Sequence, residues 1–397
     1  MALTDFKPFF DNAYQEVFQK AATFKEVGNF RFESTLSYGA SVARVAYDIS
    51  AVQVRTVTRG SASTIDSVTD VAETLTIDIE KEAVFYISDG EVKQAGPLNP
   101  GEVIGGQVAM KMALDLDGRF YAQVRNATFK FNDGDLATGV SNTTPITLSS
   151  TTVPQMVSRM AAKLRSKNNQ SVSTNMLFVT DSYAASDITQ FIIGKNIDLA
   201  GNTFQNGYSG DVNNARLIVS EALQGEATFV STGATTDADT VTINGIVFTF
   251  KTTLGSTAGN VLRGADAAAS ITNLAALINT PGTTTAQGVA LSAADQLLLT
   301  NIVATATSAT VLTIVGTGTG RLTLSESTSN FTWATNFIHS YYGKKGAIDI
   351  VVQDMEEVDM RKTDDRRGTN VFSSYLAGIK TFSDGAKKFL DVWILVA

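Results

Sequence analysis

The stretch NPGEVIGGQVAMKMALDLDGRFYAQVRN, residues 99–126, decides how the rest of the chain is read. It opens as helices open: Asn99 can cap, Pro100 suits the first helical position, and Glu102, three residues after the cap, can reach back to the cap amide. Val103, Ile104, Val108, Met112, Leu116, Phe120 and Val124 then hold one apolar stripe at helical spacing. At 1.5 Å per residue this is a rod of roughly 40 Å. Gly105, Gly106 and Gly118 weaken it in isolation, so tertiary packing must hold it. The glycines at its start follow no strand and lack G-x-G-x-x-G spacing, which removes a dinucleotide loop.

Upstream, residues 1–36 carry Phe6, Phe9, Phe10, Tyr14, Phe18, Phe24, Phe30 and Phe32 among charges, with helical spacing at Tyr14, Val17 and Phe18. Such an arm needs a partner surface. Alternation over Ala51–Thr58 and again over Val71–Ile79 predicts two long strands around a polar tip, roughly Arg59 to Asp70, too poor in apolar groups to pack a core. Downstream, helices are expected over 153–167 and 181–193, with a buried strand over 175–180. Strands are expected over 347–353, 370–381 and 388–396, the last two joined at Ser383-Asp384-Gly385 and all part of one mixed sheet.

A composition break interrupts this body. Residues 226–333 hold nine charged residues in 108, whereas the other 289 hold 61 of the 70. Within the window, Asn244-Gly245 between alternating runs predicts a hairpin, and 266–279 an amphipathic helix. Further strands are expected over 297–302, 310–315 and 321–324. The window reads as a self-sufficient β-rich module inserted into a larger domain.

Composition also excludes chemistry. Among 397 residues there is no Cys and one His, His339, which removes thiol nucleophiles, Cys/His zinc sites and iron–sulfur clusters. A net charge of -8 argues against a surface built to neutralise phosphates. Neither a signal peptide nor an apolar run long enough to span a bilayer is read from the residues, so a soluble chain is expected.

In order, the parts are an aromatic arm, a long hairpin, a long helix opening at Asn99-Pro100, a mixed α/β body and terminal strands. That order resembles the major capsid proteins of tailed bacteriophages, of the HK97-type fold. The closest match is Val358 to Phe372, VDMRKTDDRRGTNVF, followed by Gly378-Ile-Lys-Thr-Phe382. The resemblance implies an α+β HK97-like capsid fold with an N-terminal arm (1–36), an extended loop (37–95) and a peripheral domain with spine helix (96–175). An axial domain (176–225, returning at 334–354) and peripheral C-terminal strands (355–397) complete it. The insertion (226–333) separately resembles a module of other phage virion proteins, through the Asn-Gly hairpin, Gly259-Asn260-Val261 and Ala267 to Asn279. By the same analogy it faces outward; deleting 236–330 with a short linker is expected to leave assembly possible.

The function expected is a non-enzymatic major capsid protein, forming pentamers and hexamers of an icosahedral shell around double-stranded DNA, made in the host cytoplasm and residing in the virion. Portal, scaffolding and decoration proteins are the implied partners, and no cofactor is implied. An encapsulin-like compartment shell, a β-rich tail protein and a glycan-active enzyme are the rivals, the last lacking a convincing carboxylate pair. Family members that cross-link covalently use a loop Lys; the tip here has none, Lys81 falling at the base, so no cross-link is expected.

Candidate intersubunit contacts are Arg55, Arg59, Asp78, Glu80, Lys81, Glu356, Glu357, Arg361, Arg366 and Arg367. His339 reads as an ordinary packing or surface histidine. The run Asp354 to Asp359 reads as an ion-pair strip before it reads as a cation site, and Asp237 and Asp239 as turn formers before calcium ligands.

Overall fold

The computed structural model describes residues 16–18, 21–32, 41–48, 52–57, 59–60, 62, 65–66, 69–88, 90, 100–168, 176–195, 211–212, 215–327, 330–354, 358–362 and 367–396. Two compact units divide the chain: one from residues up to Ala21, Lys25–Met112 and Gly346–Lys388, the other from Ala22–Phe24, Ala113–Lys345 and Phe389–Ala397. The expected aromatic arm through Tyr14 and the capping Asn99 lie outside the described residues.

In the first unit, β1 (Ser41–Asp48) and β2 (Thr69–Thr76) form a two-stranded antiparallel ribbon, in register from Ser41 opposite Thr76 to Asp48 opposite Thr69. The hairpin expectation is thereby corrected: Val52–Val57 is no strand, and the partner of β2 is the preceding segment. Alternation at Val52, Val54 and Val57 has nothing among the described residues to bury against, and the three are 48%, 104% and 81% exposed. Beyond a short turn, β3 (Ile79–Ser88) leaves the ribbon and pairs with β18 (Gly368–Lys380). On its other side β18 pairs with β16 (Asp349–Asp354) and β17 (Val358–Lys362), completing a four-stranded antiparallel sheet. Leu75, Ile77, Val351 and Phe382 form a small core at the ribbon base.

The base is also held by charge. Arg44 makes a bidentate pair with Asp384 at 2.6 and 2.9 Å, Lys388 reaches the same carboxylate at 3.0 Å, and Glu73, opposite Arg44, accepts from the Ser383 amide at 3.1 Å. Burial raises the Asp384 pKa, but Arg44 and Lys388 outweigh it and hold the carboxyl well below the usual range.

The α1 turn (Phe24–Val27) and the long helix α2 (Pro100–Ala122) contribute to both units. The helix is as expected, ~35 Å long, and ends in a 3-10 turn over Gln123–Asn126. In the second unit its buried residues include Ala113, Leu116, Phe120, Tyr121 and Asp117. Asp117 is 1% exposed and accepts from the Thr23 and Phe24 amides, at 2.9 and 2.7 Å, and from the Thr23 hydroxyl at 2.8 Å. A carboxylate in mid-helix thus takes up the amides at the start of α1.

The second unit is built on a nine-stranded mixed sheet. Its order is β12 (Ile302–Ser308), β13 (Val311–Gly316), β8 (Gln224–Ser231), β15 (Phe331–Lys344), β5 (Met176–Thr180), β7 (Ala215–Val219) and β6 (Asp211–Val212). Off that path, β19 (Phe389–Leu395) pairs with β15 and β4 (Phe129–Phe131). The terminal strand therefore does not lie in one sheet with β18, as the sequence suggested; Ser383-Asp384-Gly385 separates two sheets rather than two neighbours. Helices α3 (Thr152–Asn168) and α4 (Ser182–Lys195) fall where the apolar spacing placed them.

Between β8 and β15 the chain adds a four-stranded sheet ordered β11 (Asn260–Leu262), β10 (Ile246–Lys251), β9 (Thr240–Ile243) and β14 (Leu324–Glu326). Asn244 and Gly245 carry the positive φ angles, 49° and 82°, of the β9–β10 turn. Helix α5 (Ala267–Asn279) is capped by Asp266, which accepts from Ala269 N at 2.8 Å. At its other end the Asn279 amide both donates to and accepts from Ala304, at 2.8 and 2.9 Å, filling the outer edge of β12 as a strand would. The strand expected over 297–302 is instead α6 (Ala293–Leu298), capped by Ser292. A core of Phe229, Phe248, Phe250, Phe331, Leu274, Ile278 and their neighbours is drawn wholly from residues 227–331. Its floor, β8 and β15, is nevertheless continuous with the rest of the nine-stranded sheet.

One close approach ties this region to the long helix. A Cβ built on Gly118 would stand 2.5 Å from the Gly318 Cα, and Gly318 itself has φ +69°. Only glycine at both positions allows two backbones that near.

Candidate assembly surfaces

The predicted contact residues fall in three places, all in the first unit. Arg55 and Arg59 belong to the segment joining β1 and β2. Arg55 is paired with Asp66 at 2.6 Å, and the same carboxylate accepts from Gln53 N at 2.9 Å. The Arg55 guanidinium, with the Gln53 amide, lowers the Asp66 pKa. Arg59 is exposed beside Gly60, whose φ is +86°. Around them Val54 at 104%, Val57 at 81% and Ile65 at 93% stand in solvent.

Asp78, Glu80 and Lys81 are exposed at the turn into β3 and along its start. Arg361 is exposed on β17, paired with Asp359 at 2.7 Å and lying over the Phe372 ring at 5.4 Å; Arg367 is exposed just before β18, its carbonyl accepting from the Tyr86 hydroxyl at 2.9 Å. Glu356, Glu357 and Arg366 lie outside the described residues, and with them half of the Asp354–Asp359 run. β3 and β17 flank β18 on opposite sides, so the structure spreads these residues over one sheet and one loop instead of gathering them into a pocket.

Asp237 and Asp239 act as turn formers. Asp239 accepts from the Thr236 amide and hydroxyl, both at 2.6 Å, and Asp237 from Thr252 N at 2.7 Å. No helix among the described residues is long and apolar enough to cross a membrane.

The cluster that sequence reading missed is at His339. This residue is 2% exposed, and its Nδ1 lies 2.8 and 3.0 Å from the two oxygens of Asp391, itself fully buried. Nε2 lies 3.3 Å from Glu226, which also pairs with Arg125 at 2.8 Å; Trp393 Nε1 donates to Asp391 at 2.8 Å. Burial works to lower the imidazole pKa, but Asp391 and then Glu226 outweigh it and the net effect is upward. Burial likewise raises Glu226, but His339 and Arg125 prevail and its pKa is lowered. The His339 imidazole thus joins β15, β19, β8 and the turn ending the long helix, and the two carboxylates favour its charged form. His339, Glu226 and Asp391 are far apart in sequence, and only the β15 register, which sets His339 opposite Trp393 and Gln224, brings them together. With no second histidine and no nucleophile in the cluster, the arrangement is a buried ion network.

No protein-family model matches the chain, and no curated protein matches it. Solved structures do. One from Mycobacterium phage Che8 is 14% identical, covering 93% of this chain and 90% of that one, with a TM-score of 0.50. The capsid structure of Cyanophage P-SCSP1u is 13% identical over 95% and 89%, with a TM-score of 0.49. The mature capsid of bacteriophage PhiM1 is 11% identical over 94% and 87%, with a TM-score of 0.45. At such identity the likeness to the first is one of fold, and the α+β, HK97-like fold expected from the element order is the fold observed.

Proposed function

We propose that this chain is a major capsid protein whose copies assemble into pentamers and hexamers and close into an icosahedral shell around double-stranded DNA. The observation that carries the reading is surplus surface. The β1–β2 ribbon leads to a segment whose Val54, Val57 and Ile65 are almost wholly exposed, so the described part of the chain gives them nothing to pack against. Apolar groups displayed this way are stabilised when a neighbour covers them, at about 25 cal/mol per Å² of apolar surface removed from water. The likeness in fold to the Mycobacterium phage Che8 structure, over nine-tenths of both chains, supports the same reading.

In this account residues 37–95 form the extended loop that lies over a neighbouring subunit, with Arg55 and Arg59 at its tip. Residues 96–175 and 355–397 form the peripheral domain, 176–225 and 334–354 the axial domain, and 226–333 an inserted module projecting outward. Asp78, Glu80, Lys81, Glu356, Glu357, Arg361, Arg366 and Arg367 make intersubunit contacts. Sedimentation velocity tests the reading with the purified chain and a V54D/V57D/I65D variant. The parent is expected to sediment as large particles and the variant as a folded subunit; particles of equal yield from both would overturn it.

A further inference from the structure

From Leu136 to Thr180 the chain has neither Asp nor Glu, the longest such run in the sequence, where the average of 39 acids in 397 residues would place about four. The four charged residues of that run, Arg159, Lys163, Arg165 and Lys167, all lie on α3.

One of the four is used within the subunit, Lys163 pairing with Asp135 at 2.6 Å. Arg159, Arg165 and Lys167 are exposed and have no carboxylate partner among the described residues; Arg159 donates to the Asp135 carbonyl at 2.8 Å. At 3.6 residues per turn the exposed stripe between them is Ser158, Ala162 and Ser166, with Arg165 on one side and Arg159 and Lys167 on the other. Both serines fold back on the helix, Ser158 donating to the Gln155 carbonyl at 3.1 Å and Ser166 to that of Lys163 at 2.9 Å, so the middle of the stripe is low and neutral. Neighbouring acids do not cancel the charge. Asp135 is taken by Lys163, Asp133 accepts from the Val140 amide at 2.9 Å, and Asp187 of α4 stands across a cleft from Val153, at the opposite end of α3. Residues 169–175, outside the described residues, carry no charge in the sequence.

We propose that this face of α3 contacts the phosphate backbone of double-stranded DNA and is turned toward the inside of the shell. The proposal rests on the shell-forming reading, which sets DNA beside the subunit. The whole-chain charge of -8 is an average that this face escapes. Its three unpaired cations stand within ~12 Å along the helix, a span that faces about seven phosphates of a duplex at roughly one charge per 1.7 Å. Contacts of this kind carry no sequence information and weaken as salt rises. Three per subunit bind weakly, and repetition over a shell makes them count. A helix C-terminus attracts cations without any ligand, which accounts for Arg165 and Lys167 in or near the last turn. It does not account for Arg159, about two turns earlier, or for the missing acids.

Fluorescence anisotropy of a short labelled duplex, with subunit kept too dilute to assemble, tests the contact. Two double variants remove equal charge: R165Q/K167Q from this face, and K344Q/K345Q from an exposed pair elsewhere in the same unit. At about 0.9 of log–log salt slope per contact, the parent is expected at a slope of about -2.7 and R165Q/K167Q at about -0.9. At about 50 mM salt R165Q/K167Q should bind at least tenfold more weakly, and K344Q/K345Q within about twofold of the parent. Because the chain has no cysteine, S166C supplies a single thiol. In closed particles it should react with a small maleimide and not with a polymer-bound one too large to enter. Equal weakening by both double variants, no weakening by either, or particles whose S166C takes the polymer reagent would overturn the proposal. If particles form and R165Q/K167Q binds the duplex like the parent, the shell reading stands and this face falls. If no particles form while R165Q/K167Q alone loses the duplex, the shell reading falls and the contact with DNA stands as a property of the subunit.

Discussion

Replacing His339 by Leu removes the imidazole from between two carboxylates while keeping an apolar group of similar size. The cost falls unequally. Glu226 retains Arg125 at 2.8 Å and is partly solvated, whereas Asp391 is fully buried and among the described residues keeps only the Trp393 N–H at 2.8 Å. Removing one partner of a buried pair costs about 3–5 kcal/mol, and the remaining indole donor places this case near 3 kcal/mol. The loss depends on pH with a definite sign. His339 has its pKa raised in the folded chain, so its contribution is complete below the unfolded value of about 6.5 and fades as pH climbs through the folded value. Across that window the parent loses up to about 1.4 kcal/mol per pH unit, and H339L should not. Glu226, held low, adds stability above the unfolded carboxylate range that is lost as pH falls through its folded value. The parent is thus most stable between the two transitions. Urea unfolding followed by tryptophan fluorescence reads this directly, because Trp393 lies 6.2 Å from the imidazole and the chain has one other tryptophan. Equal midpoints for parent and H339L at pH 6, with equal slopes up to pH 9, would refute the ionic account of the cluster.

Other perturbations follow from particular contacts. Asp117→Ala strips three hydrogen bonds from Thr23 and Phe24 and should destabilise by about 2–4 kcal/mol, with amide exchange accelerating first over residues 23–27. Gly118→Ala forces a methyl to within 2.5 Å of the Gly318 backbone and should cost about 1–3 kcal/mol in chemical denaturation. Arg44→Ala frees Asp384 and loosens the ribbon base; limited proteolysis between residues 48 and 69 should quicken severalfold, and 1 M NaCl should mimic part of the effect. Deleting 236–330 removes β9 to β14 but uncovers Phe229, Phe331 and Trp333. The bare deletion should aggregate, and adding F229T, F331T and W333T should return soluble subunit.

Local signals carried the parts that local chemistry governs. Pro100 and the stripe through Phe120 marked the long helix, and Asn244-Gly245 marked a turn whose positive φ angles few other residues accept. The same logic applies at Ser292, which accepts from the Asp295 amide three residues on and caps a short helix that the apolar run at Leu297–Leu299 disguised as a strand. Alternation misled at Val52–Val57, because period-two spacing records a wish to be half-buried without naming the partner. The strand that does pair, Ser41–Asp48, alternates too weakly to stand out. Nothing local could place Glu226, His339 and Asp391 together or give Asp117 its cap at Thr23, since both depend on which strands and helices become neighbours.

Electron microscopy of the purified chain tests the central claim most directly. Negative staining should show closed, roughly spherical shells of uniform size, whose averaged images resolve five- and six-membered rings of subunits. A field containing only isolated subunits or open tubes, from protein shown by urea unfolding to be folded, would contradict the account.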